Sequence, residues 1–225
     1  MNQDAKDLLL RGAAQIGVEL TADQIGKFAL YADELKKWNR KINLTAITTE
    51  REITLKHFVD SLSISRVIGN EGRLLDLGSG GGFPVIPFAI VNSRIDAVSV
   101  DAVEKKIIFQ RHVGRTLGLR HFEAIHARGE ELAARYAFHF DWIVSRAFSD
   151  IPAFVRMALP LLAPNGTIVA MKGQGGREEA GSVRSALEIL EVEIRQIMEF
   201  PLPFSGDRRC LVVMGRKSGA ETIVA

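Results

Sequence analysis

Cysteine is almost absent from this 225-residue sequence, Cys210 being the only one. A lone thiol forms no internal disulfide, so a cross-linked secreted scaffold is excluded. Its place in the apolar run Cys210-Leu211-Val212-Val213-Met214 reads as a core thiol. Long apolar runs are absent too. The most apolar stretch, Phe83 to Val91, also holds Pro84 and Pro87. It falls far short of the roughly 18 apolar residues that a spanning helix needs, so no membrane partner is expected. The opening stretch, residues 1–7, is polar and lacks the apolar core of a secretory signal, which makes a cytoplasmic location the expectation. An excess of one charge is also missing. There are 29 Lys+Arg against 27 Asp+Glu, a net of +2, which permits a nucleic-acid partner without naming one. No repeat or low-complexity tract is visible.

What is present is ordinary globular usage, 47% hydrophobic and 25% charged, which excludes wholesale disorder. The length allows one domain with an extension or two small domains, at a soft ~100–200 residues each. Residues 1–70 read as a helical N-terminal extension. In its second helix Ile25, Phe28, Ala29, Ala32, Leu35, Trp38 and Ile42 recur at spacings of three and four and share a face. Thr21 and Gln24 have capping-box spacing at its start. A third helix is predicted from about Glu50 to Val67.

Beyond residue 70 the pattern changes. Short apolar runs at 74–77, 97–100, 122–125, 142–144 and 167–170 alternate with helix candidates near 84–92, 103–117, 129–136, 150–161 and 178–190. Such alternation predicts a parallel sheet covered on both faces. Two further strand-like runs, 191–200 and 208–216, are joined by too few residues for a crossover helix and should pair antiparallel. The expected fold is α/β, an open Rossmann-like sheet ending in an antiparallel hairpin. It occupies 71–217, with 218–225 as a tail.

The sharpest feature is Asp76-Leu77-Gly78-Ser79-Gly80-Gly81-Gly82-Phe83-Pro84, placed after the first strand and before a helix. Its glycines let the backbone turn tightly and approach a ligand. Pro84 suits a first helical turn. A dinucleotide fingerprint would need its third glycine where Phe83 stands, and Phe does not allow the same close helix–strand packing. The segment fits Asp-x-Gly-x-Gly-x-Gly better. An acid ending the strand suits a ligand with a cationic centre and no pyrophosphate, such as S-adenosylmethionine. A glycine-rich turn without ligand is the plainer reading. Asp101 ends the next strand and could accept from both ribose hydroxyls of an adenosine moiety, or cap the following helix, or both.

This loop, together with Trp38-Asn39-Arg40-Lys41-Ile42-Asn43-Leu44-Thr45, His57-Phe58-Val59-Asp60-Ser61, Ser145-Arg146-Ala147-Phe148 and Lys172-Gly173-Gln174, resembles the small-subunit ribosomal RNA methyltransferase G family, also called glucose-inhibited division protein B. The likeness runs from about residue 20 to 217. It implies a class I methyltransferase sheet and S-adenosylmethionine-dependent methylation of a guanine N7 in 16S ribosomal RNA, in the loop near the decoding centre. The partner would be that RNA or the small ribosomal subunit, and the chain a monomer. Carried over by position, Gly78 and Phe83 line the cofactor site, Gly129 and Glu130 flank the adenine, and Arg146 completes the pocket; Gly80 of the same loop is assigned to the cofactor beside them. Members usually have Thr and Pro where this chain has Ser79 and Gly81, so a looser loop is expected.

The bare chemistry runs the same way. The Asn-Pro-Pro-Tyr signature of exocyclic-amine methylation is replaced by Ser145-Arg146-Ala147-Phe148, and Cys210 lies away from where a C5 nucleophile would be needed. Guanine N7 is an unprotonated acceptor and needs no general base, so alignment can carry catalysis. Arg146 and Lys172 are the catalytic candidates, both at carboxyl ends of strands. Arg146 could hold guanine O6 or a phosphate, or pair with Asp101 or Asp150; Lys172 could reach phosphate or be a solvated loop lysine. His57 and Asp60 lie one turn apart, and a helix-surface pair is the favoured reading. Phe83 and Phe148 are candidates to stack on the base, with core packing the default. Residues 1–72 hold ten basic and ten acidic residues, and only the cluster Lys36, Lys37, Arg40 and Lys41 gives a local +4. No metal site is assigned. The competing readings are a methyltransferase of another RNA or a small molecule, a non-catalytic RNA-binding protein and, last, a nicotinamide oxidoreductase.

Overall fold

The computed structural model describes residues 1–217 apart from Ala147, Ser149 and the side chains at 129 and 130; the tail 218–225 lies outside the described residues. Seven strands form one sheet: β1 (Gly72–Leu77), β2 (Ile95–Asp101), β3 (Phe122–His126), β4 (Phe140–Ser145), β5 (Leu162–Lys172), β6 (Val192–Pro201) and β7 (Arg208–Arg216). Their order is β3-β2-β1-β4-β5-β7-β6. The first five are parallel, and β7 runs antiparallel between β5 and β6. The α/β expectation with a terminal hairpin is what the chain adopts.

Alternation along each strand sends neighbouring side chains to opposite faces. Leu74 joins one apolar cluster and Leu75 the other. The first cluster also takes Leu9, Phe28, Tyr31, Leu35 and Phe58, so the N-terminal helices bury their apolar faces on the same side of the sheet as the helices Val85–Val91 and Glu104–Thr116. Phe28, Tyr31 and Phe58 are fully buried. Each contributes on the order of 1.5–3 kcal/mol through that burial. The second face carries the helices Gly129–Tyr136, Ile151–Ala158, Gly176–Ser182 and Arg184–Ile189.

Local signals explain the ends. Thr21 accepts from the Gln24 amide at 3.3 Å while Gln24 accepts from the Thr21 amide at 2.9 Å, closing the capping box. Asp150 caps Ile151–Ala158 through the Ala153 amide. The second helix ends at Asn39, and its core residues are Phe28, Tyr31, Ala32 and Leu35; Ile25 and Ala29 are half-buried. The helix expected over 178–190 is two, parted at Val183, where a β-branched residue at ψ 4° follows Gly181 and Ser182, both weak helix formers. The helix expected over 50–67 is a composite. A turn capped by Thr49 (Glu50–Glu52) leads into a π-helical stretch, Ile53–Val59, then Asp60–Leu62 and a tight turn, Ser63–Arg66. π-helical insertions shift side chains around the axis and are frequent at functional sites.

The chain order reverses between β1 and β4, so the carboxyl ends of these strands face the crevice where open α/β sheets hold ligands. The glycine loop, Asp101, Arg146 and Lys172 all lie at that edge, each at the carboxyl end of its strand. No helix among the described residues is long and apolar enough to cross a membrane.

Candidate functional site

The glycine loop adopts φ +75° at Gly78, +60° at Gly80 and +93° at Gly82, backbone that residues with a Cβ rarely take. It is tied down on every side. The amides of Gly78 and Ser79 donate to Val100 O, and that of Gly80 donates to Asp101 Oδ2 at 2.9 Å. Behind the loop, Gln110 Nε2 donates to Ser79 Oγ at 2.9 Å and to Gly80 O at 2.8 Å. Ser99 bridges Ser79 and the Gln110 side chain, and all three residues are buried. The Tyr31 hydroxyl donates to Gly81 O. The looser loop expected from Ser79 and Gly81 is therefore a stapled one.

The two carboxylates differ. Asp76 is the penultimate residue of β1 and wholly buried; Oδ2 accepts from the Val85 amide at 3.2 Å, while Oδ1 has no hydrogen-bond partner among the described residues. Burial raises its carboxyl well above the usual range. Asp101 sits at the end of β2 with one oxygen on Gly80 and the other on the Val103 amide at 2.9 Å; Lys106 Nζ lies 3.5 Å away. It therefore links the loop to the next helix, whose N-cap is Val103, not Asp101. Each carboxylate oxygen keeps a further lone pair for a ligand hydroxyl. The helix Gly129–Tyr136 begins at Gly129 beyond β3; the side chain of Glu130 lies outside the described residues.

Arg146 follows β4 and pairs with neither Asp101 nor Asp150. Nη1 donates to Lys56 O at 3.0 Å and lies 3.5 Å from Asp60 Oδ2, Nη2 donates to His57 Nδ1 at 3.2 Å, and the guanidinium lies 5.2 Å from the centre of the Phe83 ring. Asp60 Oδ1 accepts from Arg209 Nε at 2.8 Å. The helix-surface reading of His57 and Asp60 is thus corrected, for they are 5% and 4% exposed. The π-helical stretch that holds His57 ends where Asp60 begins; His57 meets Arg146, just past β4, and Asp60 meets both Arg146 and Arg209 of β7. Phe83 is 3% exposed and packs against His57 (4.3 Å, near-parallel) and Tyr31 (5.3 Å). It is a packed core ring. Phe148 is half-buried and stacks on Phe154 at 5.3 Å.

Because Arg146 donates to Nδ1, the His57 proton belongs on Nε2, which lies 2.8 Å from Thr45 Oγ1. Burial first, and the Arg146 charge second, push the imidazole down to about 3. Above pH 6.5 neither folded nor unfolded chain protonates this ring. Between 6.5 and 3 the unfolded chain takes the proton and the folded chain does not, so stability falls with pH. Between pH 6.5 and 4.5 this group removes about 2–3 kcal/mol. Urea unfolding of His57→Gln should lack that slope relative to the parent; identical pH dependence in both would refute a buried neutral imidazole.

Lys172 is no solvated loop lysine either. Its side chain is 12% exposed, with Nζ 2.9 Å from Glu179 Oε1 and 3.1 Å from Phe148 O. A cavity of about 320 Å³ is lined by Lys56, His57, Asp60, Arg146, Lys172 and Arg209. Four cations and one carboxylate line it. In the helical region half of the expected +4 is paired, since Lys36 pairs with Glu50 (2.6 Å) and Asp33 (3.2 Å) and Lys37 with Glu34 (3.5 Å). Sequence reasoning missed Tyr31, Ser99, Gln110 and the Asp60–Arg209 pair. None of these carries a motif or spacing that points to its partner.

The profile of the family described as rRNA small subunit methyltransferase G matches residues 24–205. A protein of Geobacter metallireducens described as ribosomal RNA small subunit methyltransferase G is 78% identical over 97% of this chain and 99% of its own length. One of Geobacter sulfurreducens with the same description is 61% identical over 96% and 99%. Among solved structures, a SAM-dependent methyltransferase from Aquifex aeolicus superposes with a TM-score of 0.58 at 16% identity, covering 81% of this chain and 97% of that one. A tRNA methyltransferase from B. subtilis does so with a TM-score of 0.58 at 13% identity, over 73% and 68%. At these identities the likeness to the solved structures speaks for the fold alone.

Proposed function

This chain belongs to the rRNA small subunit methyltransferase G family, and on that premise we propose that it methylates N7 of a guanine in 16S ribosomal RNA, using S-adenosylmethionine. The target lies in the loop near the decoding centre, and the chain acts as a cytoplasmic monomer. The bound cofactor supplies a methyl group on a positively charged sulfur, open to attack by the N7 lone pair.

The residues at the crevice suit such a cofactor. Asp76 Oδ1 is a buried polar atom without a partner beside the loop, suited to an ammonium or an ordered water in front of one. A Cβ at Gly80 would meet nothing within 4 Å among the described residues, so the loop backbone faces open space there. Asp101 presents its remaining lone pairs to ribose hydroxyls, Gly78 and Gly80 belong to the loop beside it, and Gly129 and Glu130 are assigned to the adenine. Phe83 supports the loop from below and Arg146 closes the far side.

The observation that carries the N7 assignment is how fully the acid–base groups are committed. His57 has a partner at each ring nitrogen, and Asp60 is shared by two arginines. A reaction that first removed a proton from the base would have to break one of these arrangements. Attack by an unprotonated N7 asks only for alignment, which can supply on the order of 7–11 kcal/mol. The cavity lined by Lys56, Arg146, Lys172 and Arg209 draws the RNA backbone in.

RNA extracted from a deletion strain tests this directly: 16S RNA should lose one N7-methylguanine, and an unchanged content defeats the assignment. Calorimetry with Asp101→Ala addresses the cofactor. Affinity should fall roughly 10- to 150-fold, the range for losing a hydrogen bond to a charged acceptor. Unaltered affinity would leave Asp101 with only its anchoring of the Gly80 and Val103 amides.

A further inference from the structure

The turn between the helix Ala22–Asn39 and the composite helical segment is built around one side chain. Asn39 Oδ1 accepts from the Leu44 and Thr45 amides at 2.7 and 3.0 Å, and Nδ2 donates to Thr45 O at 2.9 Å. Thr45 Oγ1 accepts from the Ile47 amide at 3.0 Å and meets His57 Nε2 on its other side. Ile47 is thereby anchored to the centre of the site through two hydrogen bonds in series, while its side chain is only half-buried.

That side chain lines two cavities. One is the cation-lined cavity of about 320 Å³ already described. The other, of about 340 Å³, has Leu35 and Ile53 as apolar lining and Lys36, Asn39, Arg40 and Thr48 as polar lining, with no carboxylate among the described residues that line it. Each is at the lower end of the ~300–1,000 Å³ range of small-ligand pockets. Lys36 is held by Glu50 and Asp33. Arg40 is exposed and has no ion-pair or side-chain hydrogen-bond partner among the described residues.

We infer that the second cavity is a subsite for the nucleotide adjoining the target base, that Ile47 is the wedge parting the two bases, and that Arg40 contacts the phosphate between them. This rests on the RNA reading above and deepens it. Apolar side chains of this size are used between base steps to unstack them, and proteins that read single-stranded RNA loops splay successive bases into separate pockets. An anchored isoleucine between two basic cavities has both the placement and the rigidity for that work. The exposed guanidinium beside it supplies the backbone contact that fixes register.

The test measures binding of deproteinised 16S RNA and its methylation by the full chain, alongside cofactor affinity, for the parent, Arg40→Ala and Ile47→Ala. Arg40→Ala should weaken RNA binding roughly tenfold and make log Kd against log salt shallower by about one. Ile47→Ala should lower kcat/KM for the RNA with an unchanged salt slope, because no charge is removed. Cofactor affinity should stay at the parent value in both. RNA affinity, salt slope and kcat/KM equal to the parent in both variants overturn the subsite while leaving the methyltransferase reading intact. A parent chain that binds cofactor but no 16S RNA overturns the RNA reading and the subsite with it.

Discussion

Arg146→Ala is expected to lower kcat/KM for methylation of 16S RNA by roughly 100- to 1,000-fold, the cost of removing one preorganised donor from a reacting centre. One guanidinium gathers the Lys56 carbonyl, the Asp60 carboxylate and His57 Nδ1 while lying against Phe83 of the glycine loop. These acceptors take three of its five N–H donors, leaving two for a ligand. The fold should survive, because Asp60 keeps Arg209 at 2.8 Å. A loss of about 1–3 kcal/mol follows from the unpaired acceptors. Arg146→Lys should rescue little. An ammonium is a single point of charge and cannot span three acceptors in different directions. Parent-like turnover in a well-folded Arg146→Ala would strip the residue of any part in the reaction, and full rescue by lysine would reduce its part to charge alone.

The arginine also shows what a linear reading of the chain reaches. Strand positions, the hairpin and the Thr21 cap follow from short-range pattern, since alternation, spacing and cap chemistry act within a few residues. The glycine loop was legible for the same reason. The partner of Arg146 was sought in Asp101 and Asp150, acids near the same sheet edge; the observed one is Asp60, 86 positions away and just past the end of the π-helical stretch. No periodicity encodes that encounter. Tyr31 is 50 positions from the carbonyl it holds, and Gln110 is 31 from Ser79. The π-helical stretch was invisible too, because it arises from how the segment packs between α-helical turns and not from any residue that forbids an α-helix. Residues with local signatures were found, and those whose role is made by tertiary contact were missed.

Two glycines of the loop, Gly80 and Gly82, should fail in different ways. Gly82 has φ +93°, and a Cβ there would lie 2.4 Å from Ile86 Cδ1 and 3.0 Å from the Tyr31 hydroxyl. Ile86 and Tyr31 are fully buried, so neither has room to yield, and Tyr31 must hold its place to bond Gly81 O. Gly82→Ala therefore combines left-handed backbone strain of about 1–2 kcal/mol with overpacking of about 1–3 kcal/mol. Gly80, at φ +60°, has no atom within 4 Å of its would-be Cβ. Gly80→Ala should cost only the strain, about 1–2 kcal/mol, and place a methyl group in the open space beside the loop. Urea unfolding should rank Gly82→Ala well below Gly80→Ala in stability. Calorimetry should show Gly80→Ala folded yet impaired in binding S-adenosylmethionine. Equal stabilities would mean that the packing behind Gly82 gives way freely. Undiminished cofactor affinity in Gly80→Ala would mean that the open side of the loop is not where the ligand lies.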